Sequence, residues 1–157
     1  MLELFLTYLQ AHGWTLQRSP TPGFPEPLAR RYPRCPEDWL VLLASVRSLV
    51  REDGGAWFLC GPDYAGQTDS AFRWNEWELL SLEAAGDNAA WRAEIRSFWD
   101  AHLPIVLSVA EGYAYYALSL ADGSVVQGSE PEFEDCRTVA PSFRDFMGQV
   151  LREEIQL

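Results

Sequence analysis

Lysine is absent from this chain of 157 residues: all twelve cationic side chains are arginine, set against 23 aspartates and glutamates for a formal net charge of −11. A field of that sign repels a phosphate backbone, which argues against nucleic acid as a direct partner. It disfavours anionic membrane surfaces for the same reason. It leaves room for a basic protein partner, whose capture it would speed, and it also serves solubility. Histidine is scarce, with only His12 and His102. A nucleophilic hydrolase needs a base held by a carboxylate. No G-x-S-x-G elbow, P-loop, G-x-G-x-x-G, H-E-x-x-H or EF-hand pattern offers another chemistry. The cysteines, Cys35, Cys60 and Cys136, are odd in number and lack C-x-x-C spacing. Neither zinc nor a redox dithiol is indicated, and free thiols in a reducing cytosol are expected. No apolar run approaches the ~20 residues of a membrane-spanning helix. The start MLELFLTYLQ has Glu3 and no basic residue, unlike a secretory signal. The expectation is a cytoplasmic protein with no cofactor and no membrane contact.

Hydrophobic residues make up 48% of the chain and charged residues 22%, which is globular and excludes disordered, collagen-like and coiled-coil classes. The length suits one domain over 1–157, with an N-terminal helix and proline-rich lead-in over 1–35 and a core over 36–157. Leu2, Phe5, Leu6 and Leu9 have helical spacing. Ser19, Pro20, Pro22, Gly23, Pro25, Pro27, Pro33 and Pro36 then predict irregular chain. Pro36 with Glu37 and Asp38 is a helix start, and the apolar spacing from Trp39 through Val46, Leu49 and Val50 predicts a helix to Val50. Residues 56–60 read as a short buried strand, and 61–73 as a polar loop. Trp74 to Ala85 and a segment from Asn88 through Trp91, Ile95, Phe98 and Trp99 read as helices. Residues 105–110, 113–120, 124–127 and 136–139 read as strands, the second and third joined by an Asp122-Gly123 hairpin. Pro141 opens a last helix carrying Phe143, Phe146, Val150 and Leu151. The predicted class is α+β: an antiparallel or mixed sheet of about four to six strands with helices packed on it, helices at the N-terminal end and one at the C-terminal end.

Two constellations stand out as candidate binding residues. Glu130, Glu132 and Glu134 alternate, with Asp135 adjacent. In an extended segment the three glutamates would share one face, either an acidic edge for a partner's cations or a charged strand kept from self-pairing. Trp74, Glu76, Trp77 and Glu78 put two tryptophans three residues apart, as core or as interface anchors among carboxylates. Asp63 and Asp69 add acids on the polar loop. Asp100-Ala101-His102 could place two metal ligands together, or hold a structural histidine at a helix end. A metal-assisted hydrolase built on Asp100, His102 and the glutamates is the third-ranked reading, since no base–orienter pair is present.

Three stretches resemble one family. C-P-E-D-W-L-V-L-L, Cys35 to Leu43, is similar to a helix written L-P-x-x-[YF]-x-x-[FL]-L. Pro104 to Val126 is similar to a strand–turn–strand ending in a D-G hairpin, and Val139 to Met147 to a closing V-A-x-S-F-x-x-F-L helix. Their order resembles that of the SUKH superfamily, which includes fungal cell-wall-assembly regulators of the Smi/Knr type and many bacterial immunity proteins. The chain departs from the pattern at Cys35, where leucine is usual, and at Glu52-Asp53-Gly54-Gly55, where N-G-G is common. The resemblance implies an α+β protein-binding module without catalytic residues. It further implies an immunity protein that neutralises a cognate basic toxin domain, often a nuclease, by occlusion, or a regulatory scaffold of the same fold.

Overall fold

A computed structural model describes residues 1–18 and 24–157. The described residues form seven strands: β1 (Trp14–Arg18), β2 (Val46–Arg51), β3 (Ala56–Phe58), β4 (His102–Ser108), β5 (Ala114–Ser119), β6 (Val125–Ser129) and β7 (Cys136–Ala140). Each pairs antiparallel with the next, so the sheet order is the chain order. Seven helices accompany them: α1 (Leu2–Ala11), α2 (Glu26–Arg31), α3 (Glu37–Ser45), α4 (Gly61–Tyr64), α5 (Glu76–Ala85), α6 (Ala89–Ala101) and α7 (Phe143–Leu151). The architecture is α+β with an N-terminal and a C-terminal helix on the sheet, as the sequence predicts. The sheet is wholly antiparallel and has two strands, β1 and β2, that the apolar spacing does not reveal.

Strand β2 takes the place of the second half of a predicted helix, and a bulge explains the misreading. Gln17 faces Ser48 and Arg18 faces Val46, so Arg47 is the extra residue. The insertion puts Val46 and Leu49, three apart, on the same face, and both are fully buried. A bulged strand thereby imitates the period of a helix. The central strand β4 carries a second bulge between Pro104 and Val106, and residues Leu103 to Leu107 are buried on both faces.

Helices cover both faces. One sheet face presents Leu49, Phe58, Val106 and Tyr116 in adjacent register. Phe58 meets Phe5 of α1 and Trp14, and Tyr116 meets Phe146 of α7. Trp39 of α3 packs edge-on to Phe143. The opposite face presents Trp57, Leu107, Tyr115 and Gly128. There Tyr115 meets Trp99 of α6, and Trp77 of α5 lies close by. The helix starts follow capping chemistry. Asn88 accepts from the Trp91 N–H at 3.0 Å, and Ser142 accepts from the Asp145 N–H at 3.0 Å.

The proline-rich lead-in is not irregular throughout. Pro25 precedes α2 and Pro27 sits in its first turn, positions where a missing N–H costs nothing. Leu28 and Tyr32 are buried, and the Tyr32 hydroxyl donates to the Trp99 carbonyl at 2.8 Å. The segment from Phe24 to Pro36 is therefore tied to the α6 layer; Ser19, Pro20, Pro22 and Gly23 lie outside the described residues.

Candidate functional site

The connection from β6 to β7, residues 130–135, turns rather than extending. The Asp135 N–H donates to the Glu132 carbonyl at 3.0 Å, and the Glu130 N–H to the Tyr113 carbonyl at 2.8 Å. Phe133 points inward, buried, with its ring parallel to Trp77 at 5.3 Å. Its carbonyl accepts from the buried Tyr115 hydroxyl. Glu134 also turns inward: one carboxylate oxygen accepts from Ser81 Oγ at 2.8 Å and from Trp99 Nε1 at 3.0 Å. Burial pushes the Glu134 carboxyl above its usual range, against the pull of those two bonds, and the Glu78 charge adds to the rise.

The expectation that Glu130, Glu132 and Glu134 share one extended face is therefore corrected. Phe133 and Glu134 anchor the loop to α5 and α6, while Glu130, Glu132 and Asp135 remain exposed. Three carboxylates are displayed on a turn fixed at both ends.

The second constellation resolves differently. Helix α5 begins at Glu76, so Trp74 lies before it, half-buried and edge-on to Tyr32 and Tyr64 at 6.3 and 5.8 Å. Trp77 is buried, donates Nε1–H to the Ala114 carbonyl at 3.1 Å and stacks on Tyr113 at 4.5 Å. Glu78 is only 6% exposed and takes a two-pronged bond from Arg31 at 3.0 and 2.7 Å. Arg31 also bonds Asp100 at 2.9 Å and lies over the Trp74 ring. Burial works against the Arg31 cation, but the bonds to Glu78 and Asp100 outweigh it and hold the charge more firmly than usual. Trp77 and Glu78 belong to the interior and leave the list of interface residues. Glu76 pairs with Arg73 at 3.1 Å.

Asp63 accepts from the Cys60 N–H at 2.8 Å, closing the start of α4, and burial raises its carboxyl. That is a capping role; Asp69 is exposed on the loop that follows. His102 stacks on Phe98 at 4.1 Å and its Nδ1 lies 2.8 Å from the Phe98 carbonyl, while Asp100 is engaged by Arg31. Burial lowers the His102 pKa. Among the described residues no group of three or more His, Cys, Asp or Glu side chains is placed to hold a metal ion. The three cysteines are free, and burial pushes the Cys35 thiol up to about 12. Among the described residues no helix is long and apolar enough to cross a membrane.

One aromatic residue outside the predicted constellations lies at the surface. Trp91 is 44% exposed, whereas five of the other six tryptophans are buried and Trp74 is half-buried. It sits one turn into α6, ahead of the stripe Ile95–Trp99 that reaches the sheet, and is flanked by Ala89, Ala90 and Ala93. Helical phase alone pairs Trp91 with Ile95, but of the two only Ile95 is buried. Exposed Glu83, Asp87 and Glu94 belong to the same end of the α5–α6 pair.

No protein-family model matches the chain, and neither a curated protein nor a solved structure does.

Proposed function

We propose that this chain is a protein-binding module of the SUKH immunity type, which holds a basic toxin domain and neutralises it by occlusion. The observation that carries the reading is the fixed turn 130–135, on which Glu130, Glu132 and Asp135 face solvent while Phe133 and Glu134 lock it to the α5–α6 layer. A turn whose backbone is fixed before contact loses little conformational freedom on binding, which is the advantage of a preorganised surface. They pair with arginines and lysines that a nuclease-type toxin uses for its own anionic substrate, so pairing and inhibition are one event. The net charge of −11 adds long-range attraction for such a partner. Trp91 supplies an aromatic anchor on α6, the helix whose Trp99 also holds Glu134. The motifs over Cys35–Leu43, Pro104–Val126 and Val139–Met147 support the family assignment.

The test is affinity capture with the intact chain as bait, followed by co-expression of the captured protein with and without this chain. The expected result is a basic protein whose toxicity this chain relieves. A captured partner with no toxicity points instead to the scaffold reading, and an acidic partner contradicts the charge argument.

A further inference from the structure

Strand β7 ends the sheet, and its outer edge has no partner among the described residues. The register tells which groups face outward. The Glu130 N–H bonds the Tyr113 carbonyl, in phase with the β5–β6 ladder, so Gly128 and Val126 bond towards β5 and Gln127 bonds towards β7. Gln127 faces Arg137. In an antiparallel ladder bonding direction alternates along a strand, so the N–H and C=O groups of Cys136 and Thr138 point away from the sheet. The other sheet edge is guarded by charge: Arg18 of β1 is bonded to Glu3 of α1 at 2.9 and 2.6 Å. Edge strands are commonly blunted by bulges, prolines or charge. β7 contains no proline and a single charged residue, Arg137, and its one bulge, at Val139, lies beyond Thr138.

We propose that β7 is the docking edge for an extended, cationic segment of a partner protein, which adds an eighth antiparallel strand through the outward groups of Cys136 and Thr138. The inference rests on the protein-binding reading above and specifies how the partner is held. Charge decides the occupant. Glu130, Glu132 and Asp135 lie just before β7, so an antiparallel strand that passes Thr138 and then Cys136 runs on towards those three carboxylates. A second copy of this chain would instead bring two charges of −11 together and supply no cationic run to the acidic turn. Main-chain bonds would supply affinity, and the acids would select a strand whose cations follow its β-branched residues.

The test uses the intact protein and an acetylated, amidated peptide, threonine–valine–threonine–valine–arginine–arginine, at low salt. Binding is read by amide hydrogen exchange and by titration. The expected result is slowed exchange at the Cys136 and Thr138 amides, with one phase of alternate N-methylation of the peptide abolishing binding and the other phase tolerated. Thr138→Pro removes an outward donor, a change that edge strands tolerate, and should weaken binding roughly five- to tenfold. The exchange measurement on the unmodified protein decides the matter even where the proline variant fails to fold. Protection elsewhere, or binding indifferent to both N-methylated peptides, would overturn the proposal while leaving the capture experiment to judge the immunity reading. A dimer in sedimentation that Thr138→Pro dissolves would assign the edge to a second copy and overturn the choice of occupant.

Discussion

Arg31 and Glu78 form the most buried ion pair among the described residues, and the glutamate has almost no access to water. Removing one partner of a buried pair strands the other charge, a loss of about 3–5 kcal/mol, whereas replacing both with apolar side chains of similar volume is often neutral. Arg31→Met should therefore lower unfolding stability by about 3–5 kcal/mol in urea titration, and the double change Arg31→Met with Glu78→Leu should recover most of it. An unchanged midpoint in the single variant would mean that the pair is looser than its geometry. Glu134 offers a pH test. Its folded pKa is raised by burial from 4.5, so the folded state binds the proton more tightly than the unfolded chain. That contribution to stability is fully present below about 4.5 and is lost as pH rises through the folded pKa. Glu134→Gln should thus be more stable than the parent at neutral pH, with the difference closing as pH falls towards the unfolded value. His102 moves the other way, since its lowered pKa contributes stability above 6.5 that is lost as pH falls through the folded pKa. Comparing the two proteins at each pH cancels the histidine. At this scale the sequence names residues but not directions: Glu130, Glu132 and Glu134 are evenly spaced, and only the turn at Glu132–Asp135 sends Glu134 inward.

The turn itself depends on its neighbours in the sheet. Tyr115 on β5 lies across Gly128 on β6, and a Cβ built there would stand 2.6 and 2.7 Å from Tyr115 Cζ and Cε1. The missing side chain is what lets the hydroxyl reach the Phe133 carbonyl. Gly128→Ala should displace the ring, cost about 1–3 kcal/mol through overpacking, and speed amide exchange across residues 130–135 while sparing α1 and α7. Exchange unchanged in that turn would separate its rigidity from Tyr115. Element by element, legibility follows how local the determinants are. The Asp122-Gly123 hairpin and the cap at Asn88 are short-range chemistry and read directly from sequence, whereas the last helix is capped by Ser142 and not opened by Pro141. Helix α2 is hidden because prolines at its start look like breakers. β2 is hidden because its bulge at Arg47 copies helical spacing. β1 is set by pairing with β2, which no window on Trp14–Arg18 contains.

For the whole molecule, the sheet-with-helices class is legible because alternating apolar runs and helix faces recur along the entire chain. The candidate site is legible only in its composition. Acid at 130–135 is plain in the sequence, but the division into three displayed carboxylates and one half-buried, inward-turned carboxylate arises from contacts between residues 18 to 53 positions apart. If Glu130, Glu132 and Asp135 receive a basic partner, association rate against salt reports it. With the partner recovered by affinity capture, the intact chain should be compared with the triple variant Glu130→Gln, Glu132→Gln, Asp135→Asn. Electrostatic steering raises encounter rates by roughly 10- to 1000-fold in favourable cases, and at ~0.15 M salt its reach shrinks to about 8 Å. The variant should associate more slowly at low salt, the two rates should converge as salt rises, and folding should be unchanged. Equal rates at every salt concentration, with both proteins folded, would contradict this expectation and move the interface away from this turn.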